Sequence, residues 1–190
     1  MSKPQRERLV LESIADDPEV GRWLAALEDG RRDTLRELEP VQPEMLDWRP
    51  DAPLNSIGTL LYHIALVEAS WLLEDIFEGD PGPAWLPALL PFEDRDGTGR
   101  LIQVDGQTLA EHLERLGAIR AYLLDRLRPM TTEDFHRPRR LADYDAAPDW
   151  VIHHLLQHEA EHRSHIAWLR DTQSELREGG TMEPLGAGRA

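Results

Sequence analysis

Residues 149–170 read DWVIHHLLQHEAEHRSHIAWLR. Positions 151, 155, 158, 162, 165 and 169 of this stretch are separated alternately by four and three residues, the spacing of a helix face packed inside a bundle. Aliphatic residues occupy the ends of the face, but its middle positions are His158, His162 and His165, with His154 beside them. The spacing therefore predicts a helix with imidazoles where a bundle normally has leucine.

These imidazoles need partners, because burying a polar group without a hydrogen bond costs roughly 2–7 kcal/mol. Solvent in a cleft, carboxylates or a metal ion can each satisfy them. His158 and His162 are four residues apart, so they lie one above the other, separated by about 6 Å of helix rise. Both can bind one ion at about 2.0–2.1 Å. We take His63, within the apolar run LLYHIALVEASWL, as the third ligand, which leaves an open position typical of catalytic sites.

Periodic apolar residues predict four long helices and no convincing strand. The first follows the N-cap Asp17, and the second starts at Asn55 or Ser56. Their predicted ranges are about 18–39, 55–78, 107–128 and 148–178, with a weaker short helix at 9–14. The Pro- and Gly-rich stretch 79–104 is long for a loop and carries Trp85 and Phe92, so we expect it to pack over the bundle as a crossover. The sequence therefore predicts an all-α four-helix bundle with a long 2–3 crossover loop, in one domain of residues 1–178 with a disordered tail at 179–190.

Composition restricts the function. The 190 residues carry a formal net charge of −15 and contain no cysteine. An acidic surface repels nucleic acid and anionic membranes, and the sequence has no long apolar run, so we expect neither as a partner. The absence of cysteine excludes a thiolate site and fits a cytoplasmic protein.

The same residues also fit three other interpretations. The run HEAEH matches the zinc-peptidase pattern H-E-x-x-H, in which Glu159 would be the general base. Di-iron bundles use pairs of Glu-x-x-His motifs, and Glu133–His136 has that spacing. A metal-free, histidine-lined cleft is the third interpretation. Three further histidines, His112, His136 and His153, show no placement on the buried face and are predicted to lie at the surface. We also expect Glu159 and Glu68 at the surface or beside the ligands.

Two motifs, LNSIGTLLYHIALVEASWL and WVIHHLLQHEAEHRSHIAWLR, resemble the DinB/YfiT-like superfamily. The resemblance implies a bundle of unusual connectivity, frequent homodimers, and a divalent metal held by His63, His158 and His162. Family members often have Gly-Gln-Ile after the last ligand, where this chain has Ser164, His165 and Ile166. His165 therefore changes the pocket or adds a ligand.

An open three-histidine site suggests two chemistries. A bound thiol loses its proton more readily, and bound water becomes a hydroxide source. Relatives implied by the resemblance include transferases that use bacillithiol or mycothiol. We therefore expect a metal-dependent S-transferase for low-molecular-weight thiols, whose small-molecule substrate enters a pocket formed by Trp71, His154 and His165. The alternatives are a metal-dependent hydrolase and a non-catalytic ligand-binding bundle. The sequence identifies no general base, and it favours zinc or nickel, with iron and manganese as further options.

Overall fold

The computed structural model describes residues 8–50 and 54–179, and within them the chain is an all-α bundle, as predicted. Four long helices dominate it, with two short helices and one small hairpin between them. The helices are α1 (Pro18–Leu38), α2 (Ile57–Ser70), α3 (Leu86–Leu89), α4 (Leu109–Leu127), α5 (Thr132–His136) and α6 (Pro148–Arg177). A 3-10 turn covers Pro43–Met45, and a π-helical segment, Trp71–Ile76, extends α2. Strands β1 (Arg139–Arg140) and β2 (Asp145–Ala146) pair antiparallel.

Side-chain caps fix where the long helices begin. The Asp17 carboxylate accepts hydrogen bonds from the backbone N–H groups of Glu19 and Val20, so α1 begins at Pro18. Ser56 caps α2 in the same way by accepting from the Thr59 N–H. Such caps satisfy backbone donors that the first helical turn leaves free. The predicted starts of these two helices are therefore confirmed.

Three local features differ from the sequence prediction. Residues 9–14 are not helical, although a short helix was predicted there. Leu9 is 85% exposed, so the segment lacks the tertiary packing that a short helix needs for stability. The crossover 79–104 contains α3 and an isolated antiparallel bridge between Arg95 and Leu101. The β1–β2 hairpin interrupts the predicted polar loop. The tail predicted at 179–190 lies outside the described residues except for Gly179.

The apolar core consists of two clusters of buried side chains. One cluster joins α2, the first half of α4 and the end of α6, and includes Leu61, Leu116 and Ile166. The other joins α1, the end of α4 and the start of α6, and includes Leu24 and Ile152. The α6 segment between Leu155 and Ile166 crosses from one cluster to the other. The histidine pair predicted from the sequence lies in this crossing segment.

In the described ranges, no helix combines the length and the apolar character that crossing a bilayer requires.

Candidate metal centre

Three histidine side chains meet between α2 and α6. His63 projects from the middle of α2, and His158 and His162 project from consecutive turns of α6. The Nε2 atom of His158 lies 3.1 Å from Nε2 of His63 and 3.0 Å from Nε2 of His162. All three predicted ligands are thus brought together, and their ligand atoms lie within 4.8 Å of one another. We refer to these residues as the histidine triad.

The spacing of the triad nitrogens fits a shared cation. Two nitrogens bound at about 2.1 Å to one ion are about 3.0 Å apart at a right angle and about 3.4 Å apart at the tetrahedral angle. The two observed separations, 3.0 and 3.1 Å, match this range. Three imidazoles without a carboxylate or thiolate suit zinc, nickel, iron or copper better than magnesium or calcium. The triad therefore fits a site for one divalent transition-metal ion.

Asp94, which lies in the crossover, orients the first ligand of the triad. Its Oδ1 lies 2.6 Å from Nδ1 of His63, and His63 itself is only 6% exposed. A carboxylate accepts a hydrogen bond, so Nδ1 of His63 carries the proton and Nε2 presents its lone pair to the triad. Carboxylate–histidine–metal arrangements of this kind fix the tautomer and raise the basicity of the ligand. Asp94 was not among the predicted site residues, and its only sequence signal is an acidic run, Glu93–Asp94, in a long loop.

The protonation of the triad favours metal binding over a metal-free hydrogen-bond network. Burial, followed by repulsion from neighbouring imidazoles, lowers the pKa of His158 to about 3 and that of His162 to about 4. Burial also lowers the pKa of His63, against the opposing influence of Asp94. Each ring is therefore neutral at pH 7 and has one N–H. Because the His63 proton is on Nδ1, its Nε2 atom can only accept a hydrogen bond. A single N–H on Nε2 of His158 can donate to one neighbouring ring but not to both, whereas a cation binds the lone pairs of all three Nε2 atoms.

A buried charge layer joins the four long helices, and its α6 member directly follows His158 in the sequence. It consists of Arg31 on α1, Glu68 on α2, Arg120 on α4 and Glu159 on α6, each at most 6% exposed. Both arginines bond to both glutamates at 2.7–3.2 Å. Glu68 and Glu159 were predicted at the surface or beside the ligands, and the surface placement is wrong because both side chains are buried. These glutamates are buried because two guanidinium groups supply the hydrogen bonds that water would otherwise supply.

The charge layer also argues against the zinc-peptidase interpretation. Burial raises the pKa of Glu159, but Arg31 and Arg120 outweigh it, so the pKa is lowered and the carboxylate stays ionised. Both its oxygens accept hydrogen bonds from these arginines. A general base must reach the attacking water, but Glu159 is only 4% exposed and its carboxylate is held toward the two arginines. The two-residue strands also offer no extended sheet edge for a peptide.

The di-iron interpretation does not fit the positions of its second motif. His136, at the end of α5, is exposed and lies 2.8 Å from Glu19 and 2.9 Å from Asp149. These carboxylates raise the pKa of His136 through hydrogen bonds. Neither Glu133 nor His136 belongs to the group of potential ligands formed by the triad. The motif Glu133–His136 therefore forms a surface contact, as expected for His136.

The three predicted pocket residues lie on two flanks of the triad. On one flank, His154 is half-buried, with its ring centroid 6.1 Å from that of His158 and 4.6 Å from that of Trp71. On the other, His165 is exposed, and its ring centroid lies 5.8 Å from that of His162. His165 does not join the three converging ligand atoms. Trp71, which begins the π-helical segment, is half-buried rather than a core residue.

The remaining histidines differ in their outcome. His153 is exposed, as predicted. His112 was predicted at the surface, but it is fully buried on α4. Its Nδ1 accepts a hydrogen bond from Arg115 at 3.0 Å, and its Nε2 lies close to Gly58, where an added Cβ would approach it to 3.1 Å. Burial and the positive charge of Arg115 lower the pKa of His112 to about 4. His112 is therefore a neutral packing residue between α2 and α4.

Comparisons with known proteins give one short match and one extended match. A 54-residue segment, 28% of this chain, is 46% identical to part of the PAN2-PAN3 deadenylation complex catalytic subunit PAN2 of Coccidioides immitis (strain RS). That match covers only 4% of the relative's length, so it carries no argument about the triad. The model of the DinB superfamily matches residues 26–166, which is well over half of the chain and includes the whole triad. The chain therefore belongs to the DinB superfamily.

Proposed function

We propose that this protein is a divalent-metal-dependent enzyme that transfers low-molecular-weight thiols to a small electrophile. The observation that carries the proposal is the convergence of three neutral imidazole nitrogens, one of them oriented by Asp94. The protein supplies only three ligands from its described residues. Three-ligand sites are typical of catalytic metals, because the remaining positions are open to substrate or water.

The side chains around the triad hold and orient the ligands. Asp94 keeps the proton of His63 on Nδ1, so that Nε2 faces the site. The charge layer fixes the turn of α6 that carries both His158 and His162, since Glu159 lies between them and bonds to α1 and α4. A divalent ion held by the triad would lower the pKa of a bound thiol from about 8.5 toward neutrality.

The thiol must be a cosubstrate, because the chain contains no cysteine. In the proposed reaction, the sulfur of the cosubstrate forms a bond to an electrophilic carbon. The leaving group departs with its electron pair, and the thiol proton passes to solvent. Trp71 and His154 on one flank of the triad, and His165 on the other, would bound the pocket in which the electrophile approaches.

A turnover assay tests the proposal. Tag-free protein is loaded with zinc or nickel and mixed with chlorodinitrobenzene and either glutathione, bacillithiol or mycothiol. We expect turnover that requires both the metal and a thiol, and its loss in His158→Ala. Ester or amide hydrolysis with metal alone would instead assign a hydrolase. Thermal stabilisation by thiols without turnover would assign a binding protein, and either result would overturn the transferase proposal.

A further inference from the structure

A row of aromatic rings continues from the histidine triad toward the start of α6. His154 lies one turn before His158, and Trp150 lies one turn before His154. The rings of Trp150 and His154 are stacked, with centroids 5.4 Å apart and planes only 4° from parallel. Trp71, from the π-helical segment, lies beside both, with ring-centroid distances of 4.6 Å to His154 and 5.6 Å to Trp150. Tyr144, from the β1–β2 connection, lies 6.3 Å from Trp71. We call the four residues Trp71, Tyr144, Trp150 and His154 the aromatic platform.

Buried polar contacts hold the platform in place. The Tyr144 hydroxyl donates a 2.7 Å hydrogen bond to Asp75, a carboxylate only 7% exposed within the π-helical segment. Nε of Arg139, at the base of the hairpin, donates to the Ile76 carbonyl at 3.1 Å. Two hydrogen bonds thus tie the hairpin to the π-helical segment that carries Trp71. π-Helical segments inside helices are frequent at functional sites, and this one begins at Trp71.

The platform is open to a ligand on its outer side. Trp150 is 51% exposed and Tyr144 is 49% exposed, although the rings of both lie beside Trp71. They line a recess of about 420 Å3. The other lining residues are Pro138, Asp145, Ala146 and Ala147. The one charged residue of this lining, Asp145, disfavours an anion, and because it is exposed, solvent screens its attraction for a cation. The two aromatic rings, the proline and the alanines offer apolar surface, which favours an uncharged apolar group.

We propose that the aromatic platform binds a flat, uncharged aromatic group of a ligand whose other end reaches the triad. This assignment rests on the proposed metal site and adds the class of substrate. His154 and Trp150 precede His158 by four and eight residues, which correspond to about 6 and 12 Å along a helix. Aromatic groups stack on exposed indole and phenol rings with a gain beyond simple burial. The ligand therefore carries its ring about 6–12 Å from the atom held at the triad.

Hydroxamate probes of two lengths test this assignment in the zinc-loaded full chain. Acetohydroxamate reaches only the metal, whereas 4-phenylbutanohydroxamate adds a ring on a short chain. Calorimetry should give about tenfold tighter binding of the phenyl probe, because the ring stacks on the platform. In Trp150→Ala this gain should fall below about twofold, while acetohydroxamate affinity stays the same.

The matched control is Trp168→Ala, which removes an indole from the opposite flank of the triad, beside His165. This variant should keep the tenfold gain. Equal affinity of the two probes in the parent protein, a gain that survives Trp150→Ala, or a gain that disappears in Trp168→Ala would each overturn the assignment. Absence of acetohydroxamate binding would instead contradict the proposed metal site. In that case saturation-transfer NMR of metal-free protein with benzyl alcohol decides: a transfer signal that disappears in Trp150→Ala supports the platform, and an unchanged signal overturns it.

Discussion

The carboxylate of Asp94 provides a sensitive test of how the site is assembled, because it touches only one of the three ligands. Asp94→Asn keeps the size of the side chain but removes the charge that holds the Nδ1 proton of His63, 2.6 Å away. Loss of such a partner typically lowers metal affinity 10–100-fold, or about 1.4–2.7 kcal/mol. An amide oxygen still accepts a hydrogen bond, so we expect about tenfold for Asn and closer to a hundredfold for Ala.

Competition with a chromophoric zinc chelator measures this change. The control is Glu93→Gln, which removes the same charge from the adjacent, exposed position. We expect its zinc affinity to stay within about twofold of the parent value, because exposed charges act weakly through solvent. Equal losses of zinc affinity in the two variants would show that net charge alone causes the effect. An unchanged affinity in Asp94→Asn would refute the role of this carboxylate in orienting His63.

Three further predictions concern the surroundings of the triad. Arg120→Met should lower the free energy of unfolding by about 3–5 kcal/mol in denaturant titrations, because it leaves buried carboxylates without hydrogen-bond partners. The control Arg32→Gln, at the exposed surface, should lower it by at most about 1 kcal/mol. Similar losses in the two variants would contradict the importance of the charge layer. His112 takes up a proton below pH 6.5 in the unfolded chain but only near pH 4 in the folded protein, so stability falls as pH decreases through this window. The change in the free energy of unfolding caused by His112→Gln should therefore be about 2 kcal/mol more favourable at pH 5 than at pH 7. Identical pH dependence in the parent and the variant would contradict this. Tyr62→Phe removes both 2.8 Å hydrogen bonds to the backbone of Phe92, so amide hydrogen exchange at residues 92–94 should accelerate. Zinc affinity should also fall, but less than in Asp94→Asn. Unaltered exchange would show that these bonds do not hold the crossover.

Sequence periodicity was sufficient for the long helices and for the triad. Aliphatic residues at spacings of three and four define one face of each long helix, and caps such as Asp17 and Ser56 are local signals. His158 and His162 interrupt such a face, and helix geometry alone places them together. Bringing His63 to the same point requires only that α2 packs beside α6. The triad was therefore accessible without knowledge of the exact helix arrangement.

The same periodicity also indicated the charge layer, but the prediction did not use this information. Arg31 continues the buried face of α1, four residues after Leu27, and Glu159 lies four residues after Leu155 on α6. Two charged residues of opposite sign at buried positions indicate a buried ion pair, because neither is stable alone in a core. The partners could not be assigned from sequence, since spacing within one helix gives no information about which helix faces it.

The contribution of the crossover was not predictable from local patterns. Asp94 and the hydrogen bonds that hold its segment depend on how residues 79–104 fold back over α2 and α4. Tyr62 binds the backbone of Phe92, and Arg115 binds the Leu89 carbonyl at 2.6 Å. These hydrogen bonds join residues 26–30 positions apart in the sequence. Only the apolar residues of the loop indicated that it packs on the bundle.

Metal content measured on tag-free protein tests the central claim most directly. After incubation with zinc and removal of free metal by gel filtration, elemental analysis should give about one zinc per chain, as expected for a convergent set of three imidazole ligands. His158→Ala should lose this zinc, and His153→Ala, which changes an exposed histidine on the same helix, should retain it. A parent protein that emerges without stoichiometric metal, or a His158→Ala variant that retains it, would contradict a metal centre at the triad.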